Sequence, residues 1–333
     1  MISEPTLVAC RISEIAEVSV HFLPVSNYDL QHPFLVDNPW VITQNHGVHA
    51  LKAFVARRGQ ITVIRSDFMP TGPLTWQEGK TQVAGVGLHM IQGGSGDPVL
   101  VLHGEMGQTV PLRYAESLAQ DFTVHMPAHP GFGVTKRLDW IMTVRDLASW
   151  YLRVIDELEL GRVNLLGFSL GGWLAAEMAC QSPQTFRKMA LVAPTGIKPP
   201  TGEILDMFLI TAREYFEENF VDFDSTPEYS TAYPAEPTPE QVELWECSRE
   251  EAARLTWRPY MYHAALPHLL GRLKDLPTLL VWGEQDGVIP VSAGEAYRQA
   301  IQGARLEIMP DCGHHPEMEK TDEFVRLVRE FFA

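Results

Sequence analysis

A mostly parallel β-sheet with helices on both faces, an α/β architecture, is the fold this sequence predicts, together with a helical insertion and an N-terminal extension. Three observations carry the expectation. Short, wholly apolar runs typical of buried parallel strands alternate with stretches of helical period. The alternation starts near residue 81, so the first 80 residues stand outside it. It is broken once, over residues 198–272, by a helix-rich stretch carrying Phe208, Tyr215, Phe216, Phe220, Trp245 and Trp257. Strands alternating with helices call for a parallel sheet covered on both faces.

The elements follow in chain order. Residues 83–91 alternate apolar and polar and read as a strand; 93–98, Gly-Gly-Ser-Gly-Asp-Pro, is a turn cluster; and 98–102 is a buried strand. Residues 109–120 read as a helix, 122–126 as a strand and 127–133 as a loop of proline and glycine. Across 143–160 the side chains of Val144, Leu147, Ala148, Tyr151, Leu152, Ile155 and Leu158 share one helical face. A strand at 162–166, a helix at 170–180 and a strand at 188–192 come next. The strands 278–282 and 305–309 and a closing helix at 321–332 end the pattern. Within the interruption, 225–239 holds four prolines and is expected to be an irregular loop.

The expected division is therefore an extension of unknown role over 1–80, a core over 81–197 and 273–333, and a cap over 198–272. An insertion between two strands at the carboxyl edge of such a sheet, where ligands bind, is placed to act as a lid. The extension holds apolar runs at 18–23 and 61–64 and several aromatics, which argues for a folded element or a contact between copies of the chain over a disordered tail. His46 and His49 lie close in sequence, but no further ligand accompanies them as a metal site requires.

Charge and cysteine content narrow the function classes. Lys plus Arg is 26 and Asp plus Glu is 42 in 333 residues, a net charge of −16 at pH 7. With no lysine/arginine cluster, this acidity disfavours nucleic acid and anionic membranes as partners. Cys10, Cys180, Cys247 and Cys312 lack C-x-x-C spacing, so neither a zinc motif nor a disulfide framework is expected. Glu4 stands where a secretory signal carries basic residues, and the apolar run 6–10 is too short for a signal core. No stretch approaches the length of a membrane span. A cytoplasmic location is expected.

The chemistry concentrates at three strand ends. Gly167-Phe168-Ser169-Leu170-Gly171-Gly172 joins the strand ending at 166 to the helix starting at 170. A serine on so sharp a turn needs very small neighbours two residues either side, and Gly167 and Gly171 meet that need. The following helix offers free N–H groups and a positive dipole end to a developing negative charge. Alone the motif is weak, because glycine and serine are common and serine is also a favoured helix N-cap. His103-Gly104-Glu105-Met106-Gly107 follows the strand 98–102; Trp282-Gly283-Glu284-Gln285-Asp286 follows 278–282; Asp311-Cys312-Gly313-His314-His315 follows 305–309. A serine, an acid and an imidazole thus occur in that order, each on a loop after a different strand. Glu284 competes with Asp286 for the acid and His315 with His314 for the imidazole.

These motifs resemble those of the α/β-hydrolase superfamily from about residue 81 to the end. The matching pieces are the His-Gly loop at 103–104, PGFG at 130–133, GFSLGG at 167–172, WGEQDGVIP at 282–290 and CGHHPEMEK at 312–320. The resemblance implies Ser169 as nucleophile, His314 as base, Asp286 as its orienting acid, and the backbone N–H groups of Leu170 and Glu105 as oxyanion hole. The family's dehalogenases and epoxide hydrolases carry Asp at the position of Ser169, which argues against those two activities. The expectation is a serine hydrolase acting on a small apolar or aromatic ester through an acyl-enzyme, without cofactor or metal. Carbon–carbon bond hydrolysis, acyl transfer and a non-enzymatic small-molecule receptor are the rivals. His103 is expected to brace the oxyanion loop and Cys312 to serve as packing.

Overall fold

The structure is a computed structural model that describes residues 52–57, 60–65, 76–107 and 111–333. The chain divides into two compact units, Met1–Gly72 and Pro73–Ala333. In the first, β1 (Lys52–Arg57) and β2 (Gln60–Arg65) pair antiparallel, Lys52 opposite Arg65 and Arg57 opposite Gln60. The apolar run 61–64 lies within β2. The run 18–23, the His46 and His49 pair and any contact between copies through the extension fall outside the described residues.

The second unit is built on eight strands: β3 (Gln77–Val83), β4 (Val86–Gly94), β5 (Asp97–Leu102), β6 (Phe122–Pro127), β7 (Val163–Phe168), β8 (Phe186–Val192), β9 (Thr278–Gly283) and β10 (Arg305–Met309). Their order across the sheet is β10-β9-β8-β7-β5-β6-β4-β3. From β10 to β6 every pairing is parallel; β4 runs antiparallel to β6, and β3 to β4. The expected mostly parallel sheet is therefore present, with an antiparallel hairpin at one edge.

That hairpin corrects the sequence reading. The alternating stretch 83–91 is not one strand: Val83 ends β3, Ala84 and Gly85 turn with positive φ, and β4 starts at Val86. The boundary expected between 80 and 81 cuts through β3, and the compact unit itself begins at Pro73. β3 leaves no apolar pattern in the sequence because all but its last residue is solvent-exposed. A polar edge strand carries no apolar period, and its polarity protects the unpaired edge from sticking to other chains.

Ten helices are described: α1 (Arg113–Leu118), α2 (Val144–Glu157), α3 (Leu170–Gln181), α4 (Ala212–Glu218), α5 (Tyr229–Ala232), α6 (Pro239–Thr256), α7 (Leu266–Leu270), α8 (Val291–Ala300), α9 (Pro316–Glu319) and α10 (Thr321–Phe332). Both sheet faces are covered by apolar side chains. Leu100, Leu102, Leu165 and Leu280 pack against one cluster with α2 and α3, while their neighbours Val99, Val101, Leu166 and Val281 pack against another with α1 and α10. Alternate side chains of one strand thus enter opposite cores, which is why these strands read as continuous apolar runs. α2 begins where its sequence says it should: Thr143 Oγ1 accepts from Asp146 N and Asp146 Oδ2 accepts from Thr143 N, a reciprocal cap.

α4 to α7 lie between β8 and β9, in the segment expected to interrupt the sheet. The stretch 225–239 is not wholly irregular: α5 forms inside it, and its last two residues start α6. Thr238 caps that helix by accepting from Gln241 N, and Pro239 sits at its first position, where a missing N–H costs nothing. No described helix is long and apolar enough to cross a membrane.

Candidate active site

Ser169 occupies the turn between β7 and α3 with φ 48° and ψ −113°. That left-handed backbone is strained for a residue with a Cβ, and the surrounding chain enforces it. Ser169 N donates to Val192 O at 2.9 Å, while Ser169 O accepts from Gly172 N and Trp173 N at 3.0 and 3.1 Å. A Cβ at Gly167 would stand 2.4 Å from Gly171 O, and one at Gly171 would stand 2.2 Å from Leu102 O. Both positions therefore exclude a side chain, as the sequence reading required. The N-cap alternative fails here: the Ser169 side chain makes no capping hydrogen bond. Its Oγ is buried, has no hydrogen-bond partner among the described residues, and lies on the wall of a cavity.

His314 reaches the same cavity from the loop after β10. Its Nδ1 donates to Asp286 Oδ2 at 2.8 Å, and its Nε2 has no partner among the described residues. Asp286 Oδ1 accepts from Val288 N and Ile289 N, both at 2.8 Å, which pins the carboxylate and leaves Oδ2 for the imidazole. The two rival residues stand in different surroundings. Glu284 is exposed, whereas the Asp286 side chain is fully buried against His314. His315 Nδ1 pairs with Glu317 Oε1 at 2.7 Å, and its ring stacks on Phe220.

The loop after β5 closes the remaining side. A Cβ on Gly104 would touch the Ser169 Cβ at 3.4 Å, so the chain at Gly104 passes directly against the serine. Leu170 opens α3, so its N–H has no partner within the helix. His103 braces this loop as expected. Its Nδ1 donates to Gly104 O at 2.7 Å, its Nε2 accepts from His129 N at 3.0 Å, and the two imidazoles stack 3.7 Å apart. Burial pushes the His103 pKa down to about 4, outweighing the Gly104 and Glu105 contributions, so it is neutral at pH 7. Cys312 is wholly buried and fits its expected packing role.

Three participants were not legible in the sequence. The side chain of Glu105, a residue expected to matter for its backbone N–H, is 4% exposed and lines the cavity. Tyr215 of α4 donates to its Oε1 at 2.5 Å. Burial opposes Glu105's ionisation, but the charge of His314 and the Tyr215 hydrogen bond prevail and hold its pKa below the usual carboxylate value. The Ser169 hydroxyl adds a weaker pull without meeting hydrogen-bond geometry. Asn219, just after α4, accepts from His314 N through its backbone O at 2.7 Å. The only hint of these contacts was the aromatic content of the inserted segment.

The electrostatics have a measurable consequence. Burial favours neutral His314, but Asp286, and after it Glu105 and Glu317, favour the cation and push its pKa up to about 9. The base form is the neutral one, so kcat/KM is expected to climb through about pH 9 instead of levelling near 7. A pH–rate profile checks this; a plateau already complete by pH 7 would show that the carboxylates do not retain the proton.

A carboxylate-held imidazole and an unpartnered serine hydroxyl on one cavity wall, on loops at the carboxyl edge of a parallel sheet, are the arrangement of the hydrolytic class of α/β proteins. The chain belongs to the α/β-hydrolase fold family, whose pattern it matches over residues 97–321. It is 28% identical over 257 residues to 2-hydroxy-6-oxo-2,4-heptadienoate hydrolase of Pseudomonas putida, covering 72% of this chain and 90% of that one. It is 26% identical over 248 residues to pimeloyl-[acyl-carrier protein] methyl ester esterase of Nitrosomonas europaea, covering 72% and 96%. Among solved structures, 2-hydroxy-6-oxo-6-phenylhexa-2,4-dienoate hydrolase from Rhodococcus sp. strain RHA1 superposes with a TM-score of 0.63 at 20% identity, covering 78% of this chain and 99% of that one. That last likeness is one of fold.

Proposed function

We propose that this protein is a serine hydrolase that cleaves a small ester of apolar or aromatic character through an acyl-enzyme, with residues 198–272 as its cap. The observation that carries the reading is the unpartnered Ser169 Oγ on the same cavity wall as the free Nε2 of an imidazole whose other nitrogen is held by Asp286. His314 accepts the serine proton during attack, and Asp286 fixes its tautomer and stabilises the imidazolium. The N–H groups of Leu170 and Glu105 receive the negative oxygen, each lowering the barrier by about 3–4 kcal/mol. The same histidine then activates a water that releases the acyl group. The cavity measures about 80 Å³. Since about 150 Å³ accommodates benzene, a group of roughly three or four non-hydrogen atoms fits inside, and anything larger extends through the mouth.

A second reading comes from the relatives. A 2-hydroxy-6-oxo-dienoate has no ester bond, so a hydrolase of such a compound must break a carbon–carbon bond. The lining of this cavity favours the ester. It holds two carboxylates, Glu105 and Glu317, and among the described residues no lysine or arginine, so a dienoate carboxylate meets repulsion that only the imidazole side offsets. The deciding experiment exposes the protein to a fluorophosphonate, reads the intact mass, and assays a short-chain aryl ester beside 2-hydroxy-6-oxo-2,4-heptadienoate. One adduct with ester turnover is expected. An adduct with dienoate turnover alone would select carbon–carbon cleavage, an adduct with neither would point to transfer or a receptor, and no adduct would end the hydrolase reading.

A further inference from the structure

The Ser169, Asp286 and His314 arrangement does not account for two buried carboxylates on the cavity wall. Glu105 and Glu317 are 4% and 5% exposed, and the Oε2 of each has no hydrogen-bond partner among the described residues. Their Oε1 atoms are occupied, by Tyr215 and by His315 respectively. An unpartnered buried carboxylate oxygen is costly unless a donor or a cation reaches it. The hydrolytic reaction uses neither oxygen. Tyr233 and Trp245 of the inserted segment line the same cavity, and among the described residues no lysine or arginine lines it to neutralise the carboxylates.

Carboxylates and aromatic faces around a small cavity are the chemistry that holds an alkylammonium group, by charge pairing on one side and ring quadrupoles on the other. We propose that the site selects its substrates by charge, taking esters that carry an alkylammonium group over neutral esters of the same shape and rejecting anionic ones, with Glu105 as the selecting group. The proposal rests on the hydrolase reading and narrows its substrate class: the apolar body that the walls accept carries a positive charge at one end. Protonated or neutral, His314 does not alter the sign. Asp286, Glu105 and Glu317 set three carboxylates against at most two imidazolium charges, those of His314 and of His315, which pairs with Glu317.

The test compares kcat/KM for three acetate esters of similar size: acetylcholine, 3,3-dimethylbutyl acetate and 2-sulfoethyl acetate. The cationic ester is expected to exceed the neutral one by at least about tenfold and the anionic one by at least about a hundredfold, the scale of one partly screened charge contact. In Glu105→Gln, which keeps the backbone N–H and the side-chain shape, the spread is expected to shrink to within about threefold. Choline, 3,3-dimethylbutanol and 2-hydroxyethanesulfonate are ranked in parallel by how strongly each slows fluorophosphonate labelling of Ser169. This keeps the selectivity readable if acetate turnover is slow. Equal rates and equal protection across the wild-type series overturn the proposal, even if the variant fails to fold, and so does a preference that survives intact in a folded Glu105→Gln. Absence of labelling altogether is the separate failure of the hydrolase reading, and it removes this inference with it.

Discussion

Ser169→Ala is expected to lose fluorophosphonate labelling completely and to lower kcat by about 10⁶-fold, as removal of the nucleophile does where a triad acts as one unit. The structure gives the reason in local terms. Ser169 Oγ is the hydroxyl at the elbow between β7 and α3, and no capping role competes for it. The substitution leaves the backbone hydrogen bonds of the turn in place, because they run through Ser169 N and O. Activity within tenfold of wild type, measured on protein cleared of contaminating esterase, would move the nucleophile elsewhere. What survives should be the modest acceleration that oriented N–H groups supply to an attacking water.

Asp286→Asn is expected to lower kcat by about 10⁴-fold while leaving the fold intact. The side-chain oxygen of asparagine can still accept from Val288 N and Ile289 N, which hold Asp286 Oδ1 at 2.8 Å, so the loop keeps its shape. Its NH2 then faces His314 Nδ1, where the carboxylate stood. The imidazole must place its proton on Nε2, so it can no longer take one from the serine. Losing the carboxylate also removes the largest influence that raises the His314 pKa, so the residual pH–rate profile should move to lower pH. Steady-state kinetics and a thermal melt test the pair of expectations. Near-normal kcat with an unchanged melt would assign the acid role to another carboxylate, Glu317 or Glu105 being the nearest in charge.

How far the sequence carries can be seen at particular residues. β5, β7 and β9 are legible because both their faces are buried, so their apolar runs have no competing explanation. Ser169 and Asp286 are legible because each loop begins where such a strand stops, and His314 because its loop follows the edge strand β10, whose apolar residues Leu306, Ile308 and Met309 still mark it. β3 is not legible, since a polar edge strand shows no period. α8 escaped the reading for a related reason: Val291–Ala300 is short, mixed small with polar residues, and lacks a side-chain cap. The Glu105 carboxylate is invisible for a different cause. Its partners, Tyr215 and His314, lie 110 and 209 positions away in the chain. No local pattern encodes a contact of that range; only the completed fold brings it about.

The hydrogen bond from His314 N to Asn219 O reaches past this molecule. A lid is ordinarily pictured as an exchangeable part that can be lengthened, swapped or lost while the chemistry beneath carries on. Here the backbone just after α4 is moored to the imidazole's own peptide, and Tyr215 of the same helix is moored to Glu105 on the loop after β5. Sequence drift in that helix would therefore alter what the enzyme accepts and how well it reacts in one stroke. A chimera carrying a foreign cap would inherit the donor's substrate range only if it also inherited this mooring. One backbone hydrogen bond thus ties the inserted helix to the histidine loop, although 95 positions separate Asn219 from His314 along the chain.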